Sequence, residues 1–425
     1  MRGTLYRVND PIVFNPFVPS YRKNPYLQLK RLQERDPVHW SDALRAWVLT
    51  RYDDCQQVTH DVDAFSSDAH IGRAALEAAA KRRGISDTPM GLRLPNPGRV
   101  SRTLGEEPTV IGSDPPGHTR LRGIINRAFT PRAVETMRPR IEEITAALLG
   151  EQPEVGSFEA VEALAQPLPS IVIAEMLGIP PEDRPQFRQW SNAIASTTNL
   201  VQTPESVQRI QETTRALVDY FGAFVAEGER QPREDLISTL LRAEYEHGRL
   251  SRNELLAFCI LLLVAGNETT TNLIGGGLRS LLMHPDALAA LRARPEAMPG
   301  AVEEMLRYDS PVQGLVRFAR RDTPVGGTTI AAGDIVLCML GAANHDPAQF
   351  PDPEQFDIDR EDNRHLSFGY GIHYCVGAPL ARAEADIALR AVLARWRTVE
   401  PDGEAEMGGT FLIRGPQRLP VAVAR

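Results

Sequence analysis

The segment SRNELLAFCILLLVAGNETTTNLIGGGLRSLLMHP, residues 251–285, constrains the fold more than any other part of this chain. Ser251 and Glu254 stand at capping-box spacing, in which the two side chains satisfy each other's backbone N–H groups. His284-Pro285 marks the stop, because proline disfavours helical geometry in the residue before it. The ~33 helical residues between these signals would run on the order of 50 Å. A helix of that length has to cross the body of the protein. Its first half, LLAFCILLLVAG at residues 255–266, is apolar on nearly every face, as a buried helix should be. Those 12 apolar residues are too few to span a bilayer. A polar group of residues, Asn267 to Thr270, comes directly after, where an unpartnered carboxylate would be costly to bury.

The chain has 425 residues, 42% of them hydrophobic and 24% charged, enough to bury a large core and enclose a ligand. Its net charge of −8 argues against general nucleic-acid binding. The opening MRGTLYRVNDPIVFNPFVPS has no apolar stretch and no cleavage pattern. Neither a signal peptide nor a membrane anchor is expected, and the location expected is cytoplasmic. Cys55, Cys259 and Cys338 sit among apolar or strand-like neighbours and read as reduced core or surface residues. No cysteine has the CxxC or Cys/His spacing of a zinc site.

No repeat, low-complexity tract or linker divides the chain, so one domain over 1–425 is expected, with an N-terminal segment at 1–35. Residues 37–52 read as two short strands around a turn. Residues 66–113 read as a long loop with a short helix near AALEAAAKRRG, a length that points to function. From Asp114 to about Tyr308 the pattern is helical. Residues 328–340 read as a hairpin turning at Gly333-Asp334, residues 375–396 as an amphipathic helix, and the chain end as short strands. The fold class is mainly α with small, mostly antiparallel sheets (α+β).

Cys375 lies in HLSFGYGIHYCVGAPLAR, between glycine-rich turns and a helix start. Free N–H groups and a partial positive charge at a helix N-terminus favour a thiolate, so a lowered thiol pKa is expected. Gly371 and Gly377 let the backbone turn and approach another surface, and Phe368 shields one side of the sulfur. This arrangement suits a thiolate held against a flat, bulky partner. A buried helix-start cysteine is the bland alternative. A nucleophilic cysteine served by His373 is another, although it lacks an orienting third group.

FGYGIHYCVG resembles the haem-thiolate loop of the cytochromes P450, Phe-x-x-Gly-x-x-x-Cys-x-Gly, at Phe368, Gly371, Cys375 and Gly377. The resemblance implies that Cys375 is the axial ligand of haem iron, where thiolate donation favours O–O cleavage. It places Gly369 with Phe368 and Gly377 against the cofactor. AGNETT, residues 265–270, resembles the family's oxygen-binding motif. There Ala265 and Gly266 would leave room beside the iron, Thr269 would hydrogen-bond dioxygen, and Glu268 would feed protons through water. EEMLR supplies Glu304 and Arg307, which match the family's buried Glu-x-x-Arg pair. The third member of that set is open, since Gln355 stands where many relatives have arginine and Arg360 is the alternative. His118, Arg122, Arg317 and His373 match positions that hold haem propionates. The resemblance runs from about residue 36 to the C-terminus and implies the cytochrome P450 fold with a long central helix over the haem.

The activity implied by this resemblance is that of a haem b (iron protoporphyrin IX) monooxygenase that uses O2 on a small organic substrate. Electrons would come from a separate ferredoxin or flavodoxin with its reductase, because the length leaves no room for a fused one. A monomer is expected. Arg120, Arg127, Arg132 and Arg382 would form a basic docking patch beside the Cys loop. By analogy of fold, Val264, Ala265, Val312, Leu315, Phe411 and Leu412 would line the substrate pocket, with the 66–113 loop over it. Their character points to a mostly apolar ligand. Arg73, Arg82, Arg83, Arg93 and Arg99 crowd that loop and read as solvated, the alternative being contact with a carboxylate or phosphate. Two alternatives are a peroxide-driven peroxygenase, which usually lacks the acid–alcohol pair present here, and a non-enzymatic haem-thiolate sensor or binding protein, which would have no use for a proton relay.

Overall fold

The computed structural model describes residues 14–68, 70–71, 109–195, 204–231, 233, 235–243 and 248–425. Most of the loop expected at 66–113, with its short helix and its five arginines, lies outside the described residues. In chain order the first elements are α1 (Pro19–Lys23), α2 (Tyr26–Arg35), β1 (Val38–Ser41), β2 (Ala46–Leu49), α3 (Tyr52–His60) and β3 (Phe65–Ser66). Then come α4 (Gly117–Ala128), α5 (Pro131–Gly150), β4 (Gly156–Glu159), α6 (Pro167–Met176), α7 (Arg184–Ala195), α8 (Pro204–Arg230) and α9 (Leu236–Arg242). The central helix is α10 (Arg252–Met283), followed by α11 (Pro285–Ala293) and α12 (Met298–Tyr308). The remainder is β5 (Leu315–Ala319), β6 (Thr323–Val325), β7 (Thr328–Ile330), β8 (Ile335–Cys338), α13 (Leu340–Ala343), α14 (Ala378–Arg395), β9 (Thr398–Pro401), β10 (Glu406–Gly409), β11 (Arg414–Arg418) and β12 (Pro420–Ala424).

The central helix begins as its sequence signals require. Ser251 caps it and both capping-box hydrogen bonds to Glu254 are made. The helix is long and apolar enough to cross a membrane, but most of that stretch is buried inside the protein. Its two halves serve two different cores. Leu255 to Leu263 pack with Ile124 and Ile125 of α4, Phe187 of α7 and Phe221 of α8. Leu273 to Leu282 pack with Met305 and Leu306 of α12, Leu389 of α14 and Trp396. The polar motif falls in the gap between these cores, which is why a carboxyl and a hydroxyl can sit mid-helix without breaking a packed layer.

The main sheet runs β1-β2-β8-β5-β3, with β2 and β8 parallel and the other pairs antiparallel. A second sheet, β4-β12-β9, ties residues 156–159 to the chain end. The expected uninterrupted helical run from 114 to 308 is therefore broken at β4, whose partner strand lies more than 250 residues away. The expected hairpin at 328–340 does not form either. β7 pairs with β6 across Gly326 and Gly327, both at positive φ, the conformation of a tight primed turn. β8 instead inserts between β2 and β5. Helix α14 also departs from its amphipathic reading: every residue from Ala383 to Leu389 is buried, including Glu384 and Asp386. Cys55, Cys259 and Cys338 are fully buried free thiols, as expected.

Candidate active site

The Cys loop is anchored before it reaches the sulfur. Leu366 N–H donates to Asn344 Oδ1 (2.7 Å), and Ser367 Oγ donates to the Leu306 carbonyl at the end of α12 (2.6 Å). Gly369 and Gly371 then turn the chain at φ of 74° and 73°, where a side chain is strained. At Gly371 a Cβ would also lie 2.9 Å from the Thr59 carbonyl of α3, so both conformation and space demand glycine. Cys375 N–H closes the loop onto the Phe368 carbonyl (2.9 Å), and α14 starts three residues later. Val376 packs against the same apolar core that buries Leu255 to Leu263 of the central helix, which sets the Cys loop toward that helix.

The thiol itself departs from expectation. Burial pushes its pKa up, and the N–H groups of Gly377 and Ala378 with the charges of Arg122 and Arg382 offset this only in part. A helix N-terminus lowers a thiol pKa when water also reaches the sulfur, and here it is desolvated. Deprotonation then falls to a bound metal, since metal ligation expels the thiol proton.

Around the thiol stand donors that the protein leaves without acceptors. His118 of α4 and His373 of the Cys loop meet with ring centroids 4.4 Å apart, and the Nε2 atom of each is buried with no partner. Burial, then Arg317 and His118, hold His373 down at about 3; burial and Arg122 lower His118. Arg317 is 6% exposed and donates only to the neighbouring Val316 carbonyl, with no ion pair among the described residues. Arg122, four residues after His118, bonds Asn126 and feels the Cys375 sulfur. A buried cation without an anion is expensive, so this set calls for an anionic guest. A haem, with its thiolate-seeking iron and two carboxylates, fits the donors present.

On the central helix, Thr269 Oγ donates to the Ala265 carbonyl one turn back (2.6 Å), and Ala265 is exposed in mid-helix, facing open space. Glu268 has a buried carboxyl oxygen with no partner, and burial raises its pKa to about 7. Gly266 also serves the packing of the helix. A Cβ there would sit 2.7 Å from Ile173 Cδ1, so the glycine lets α6 lie against the central helix.

Glu304 and Arg307 are both 0% exposed and form a two-pronged pair at 2.7 and 2.8 Å. Arg360 Nε reaches Glu304 (3.2 Å), as does Asn363 (3.1 Å), whereas Gln355 contributes only its backbone carbonyl to Arg307. Arg360 is thus the third member. Arg307 also donates to the Asn344 carbonyl (2.9 Å), which links this cluster to the Cys-loop anchor.

The pocket candidates divide. Leu315 lies at the Cys-loop side, its Cδ1 3.6 Å from where a Gly369 Cβ would be, and Val264 is half-buried against the core of the central helix's first half. Val312 bridges to Ile413, and Leu412 accepts from Gln313 N–H (2.8 Å), so the two expected segments do run side by side. Phe411, however, is 6% exposed and its ring stacks edge-on to Phe17 in the N-terminal core. The expected basic patch is also thinner than its sequence suggested: Arg120 pairs with Glu254 and Arg382 with Glu303, while Arg127 and Arg132 are exposed. Sequence reasoning missed Asn344, Glu303 and Asp114. Asp114 accepts from Ser67 N–H (3.0 Å) and pairs with Arg320, closing the base of the 66–113 segment. Their partners are remote in sequence, so no local spacing announces them.

Fold and site together define a haem-thiolate oxygenase. The family model for cytochrome P450 matches residues 98–408. The polyketide biosynthesis cytochrome P450 PksS of Bacillus subtilis is 37% identical, over 98% of this chain and 100% of its own length. The 6-deoxyerythronolide B hydroxylase of Saccharopolyspora erythraea is 38% identical, over 93% of this chain and 94% of its own. The solved structure of cytochrome P450 CYP109Q5 from Chondromyces apiculatus superposes with a TM-score of 0.84 at 36% identity, covering 97% of this chain and 98% of that one. This chain belongs to the cytochrome P450 family, and within it to the monooxygenases of bacterial type.

Proposed function

We propose that this monooxygenase inserts one oxygen atom of O2 into a mostly apolar organic substrate, taking electrons from a separate ferredoxin or flavodoxin with its reductase. The observation that carries the reading is the buried, unpartnered carboxyl oxygen of Glu268 beside Thr269, at the break between the two cores. Haem b, when bound through Cys375, supplies oxygen activation and electron storage. His118, Arg122, Arg317 and His373 would hold its carboxylates. Thr269 donates its hydroxyl proton to the Ala265 carbonyl, which leaves its hydroxyl oxygen free to accept. Glu268, raised to about 7, can both hold and release a proton near neutrality, which suits a relay. A peroxygenase needs no such pair, and a binding protein needs no relay.

The apolar Val264, Val312 and Leu315 support a mostly apolar substrate. Polyketides are the first class to screen, because the name of the polyketide biosynthesis cytochrome P450 PksS points there. A cytoplasmic monomer accords with the reading. The test is the absorbance difference of the reduced protein with and without carbon monoxide. A long-wavelength Soret band is expected, followed by incorporation of heavy-isotope O2 into product when a reductase system is added. Haem bound without that band would refute the thiolate assignment. Product formed with peroxide alone, and not with O2 and electrons, would favour the peroxygenase.

A further inference from the structure

Arg382 was expected at a docking surface, yet the protein has taken it up. Its Nε and one terminal nitrogen donate to the two carboxyl oxygens of Glu303 on α12 (2.7 and 2.8 Å). Its other terminal nitrogen reaches Tyr374 Oη (3.3 Å). The guanidinium carbon stands 4.5 Å from the centre of the Phe368 ring. Glu303 has a second neighbour, His365 Nε2, at 3.2 Å. Burial alone would raise the Glu303 carboxyl, but the hydrogen bonds from Arg382 and His365 outweigh burial and hold it at about 2. Phe368, under the guanidinium, carries the carbonyl that receives the Cys375 N–H (2.9 Å). The cation lies over the ring, the ring's own backbone holds the Cys375 N–H, and a carboxylate from α12 clamps the cation in place.

We infer that Glu303 and Arg382 are positioning residues that set how strongly Cys375 donates to haem iron, acting as a charge-balanced pair stacked on Phe368. The inference rests on the haem-thiolate reading above. In a desolvated site, a full positive charge beside the sulfur retains electron density on it and weakens donation. A full negative charge does the reverse. The bidentate pair keeps the local field small, and its rigid fork fixes the guanidinium over the ring. Substitutions of the two partners should therefore shift the haem in opposite directions.

The test is the ferric/ferrous midpoint potential and the reduced carbon monoxide band of substrate-free holoenzyme in four forms: wild type, Glu303→Gln, Arg382→Gln and the double variant. Glu303→Gln leaves the cation and should raise the potential and move the band to shorter wavelength. Arg382→Gln leaves the carboxylate and should lower the potential. The double variant should return toward wild type. A clamp that only stiffened the loop would move both single variants the same way, or neither, and would overturn the inference. If one single variant fails to take up haem, the sign of the other decides. Loss of haem from both singles but not from the double supports charge balance, and loss from all three overturns it. A wild-type protein with no thiolate band would sink the functional reading itself; a normal wild-type band with unshifted variants would sink only this inference.

Discussion

Glu268 carries one carboxyl oxygen that no protein group satisfies, and burial alone raises its pKa to about 7. As a proton donor it works in its neutral form. Product formation should therefore hold steady below about pH 7 and fall as pH rises through that value, toward tenfold per unit. Glu268→Gln should lose about 10²–10⁴-fold in turnover and lose the inflection with it. A pH profile that keeps its inflection in the variant would assign the titration to another group. Thr269 has a different task, because its hydroxyl proton is already committed to the Ala265 carbonyl. Thr269→Ala should keep haem and substrate binding, read by spin-state shift, but divert electrons to peroxide. Full coupling of electrons to product in that variant would remove Thr269 from the relay.

At the scale of the element, three successive glycines in the central helix meet three different surroundings. A Cβ on Gly275 would lie 2.8 Å from Pro416 Cγ, and one on Gly277 2.7 Å from Met305 Sδ, whereas one on Gly276 meets nothing within 4 Å. Gly276→Ala should stabilise the protein by about 1 kcal/mol through helix propensity alone. Gly275→Ala should destabilise it by ~1–3 kcal/mol, because the proline ring has little freedom to move. Thermal unfolding of the two variants checks the contrast, and equal shifts would contradict it. The same helix shows what the sequence can disclose. Its capping box, its length and the burial of its first turns, Leu255 to Ile260, were legible because each is a local signal. Cys375, Glu304 and the Thr269 motif were legible because a short spacing carries them. The strand partners of β4 and β8, and the capture of Arg382 by Glu303, were not legible. Those pairings join residues dozens to hundreds of positions apart, and only the assembled core decides between a guanidinium in solvent and one stacked on Phe368.

For the whole molecule, stability against pH is set by groups that the core holds away from their ordinary protonation. His345 on the Arg307 side of the core is held neutral, at about 4, by burial and then by Arg307. An unfolded chain protonates that imidazole below about 6.5, so its contribution to stability grows as pH rises from about 4 to that value. Glu384 acts in the opposite sense. It sits on α14 in the second core, 1% exposed, with one oxygen unpartnered, and burial raises its pKa from 4.5 to about 8. The folded protein keeps that proton while the unfolded chain gives it up, so stability drains away as pH climbs from about 4.5 to about 8 and levels off above. Each unit of that gap is worth about 1.4 kcal/mol. Glu384→Gln keeps the shape and removes the titration. Denaturant midpoints measured between about pH 5 and pH 8.5 should show the variant gaining on wild type steadily through that window, with the difference flat beyond it. A difference that does not change with pH would mean that Glu384 titrates alike in the folded and unfolded chain, and that the second core admits a charge its packing should refuse.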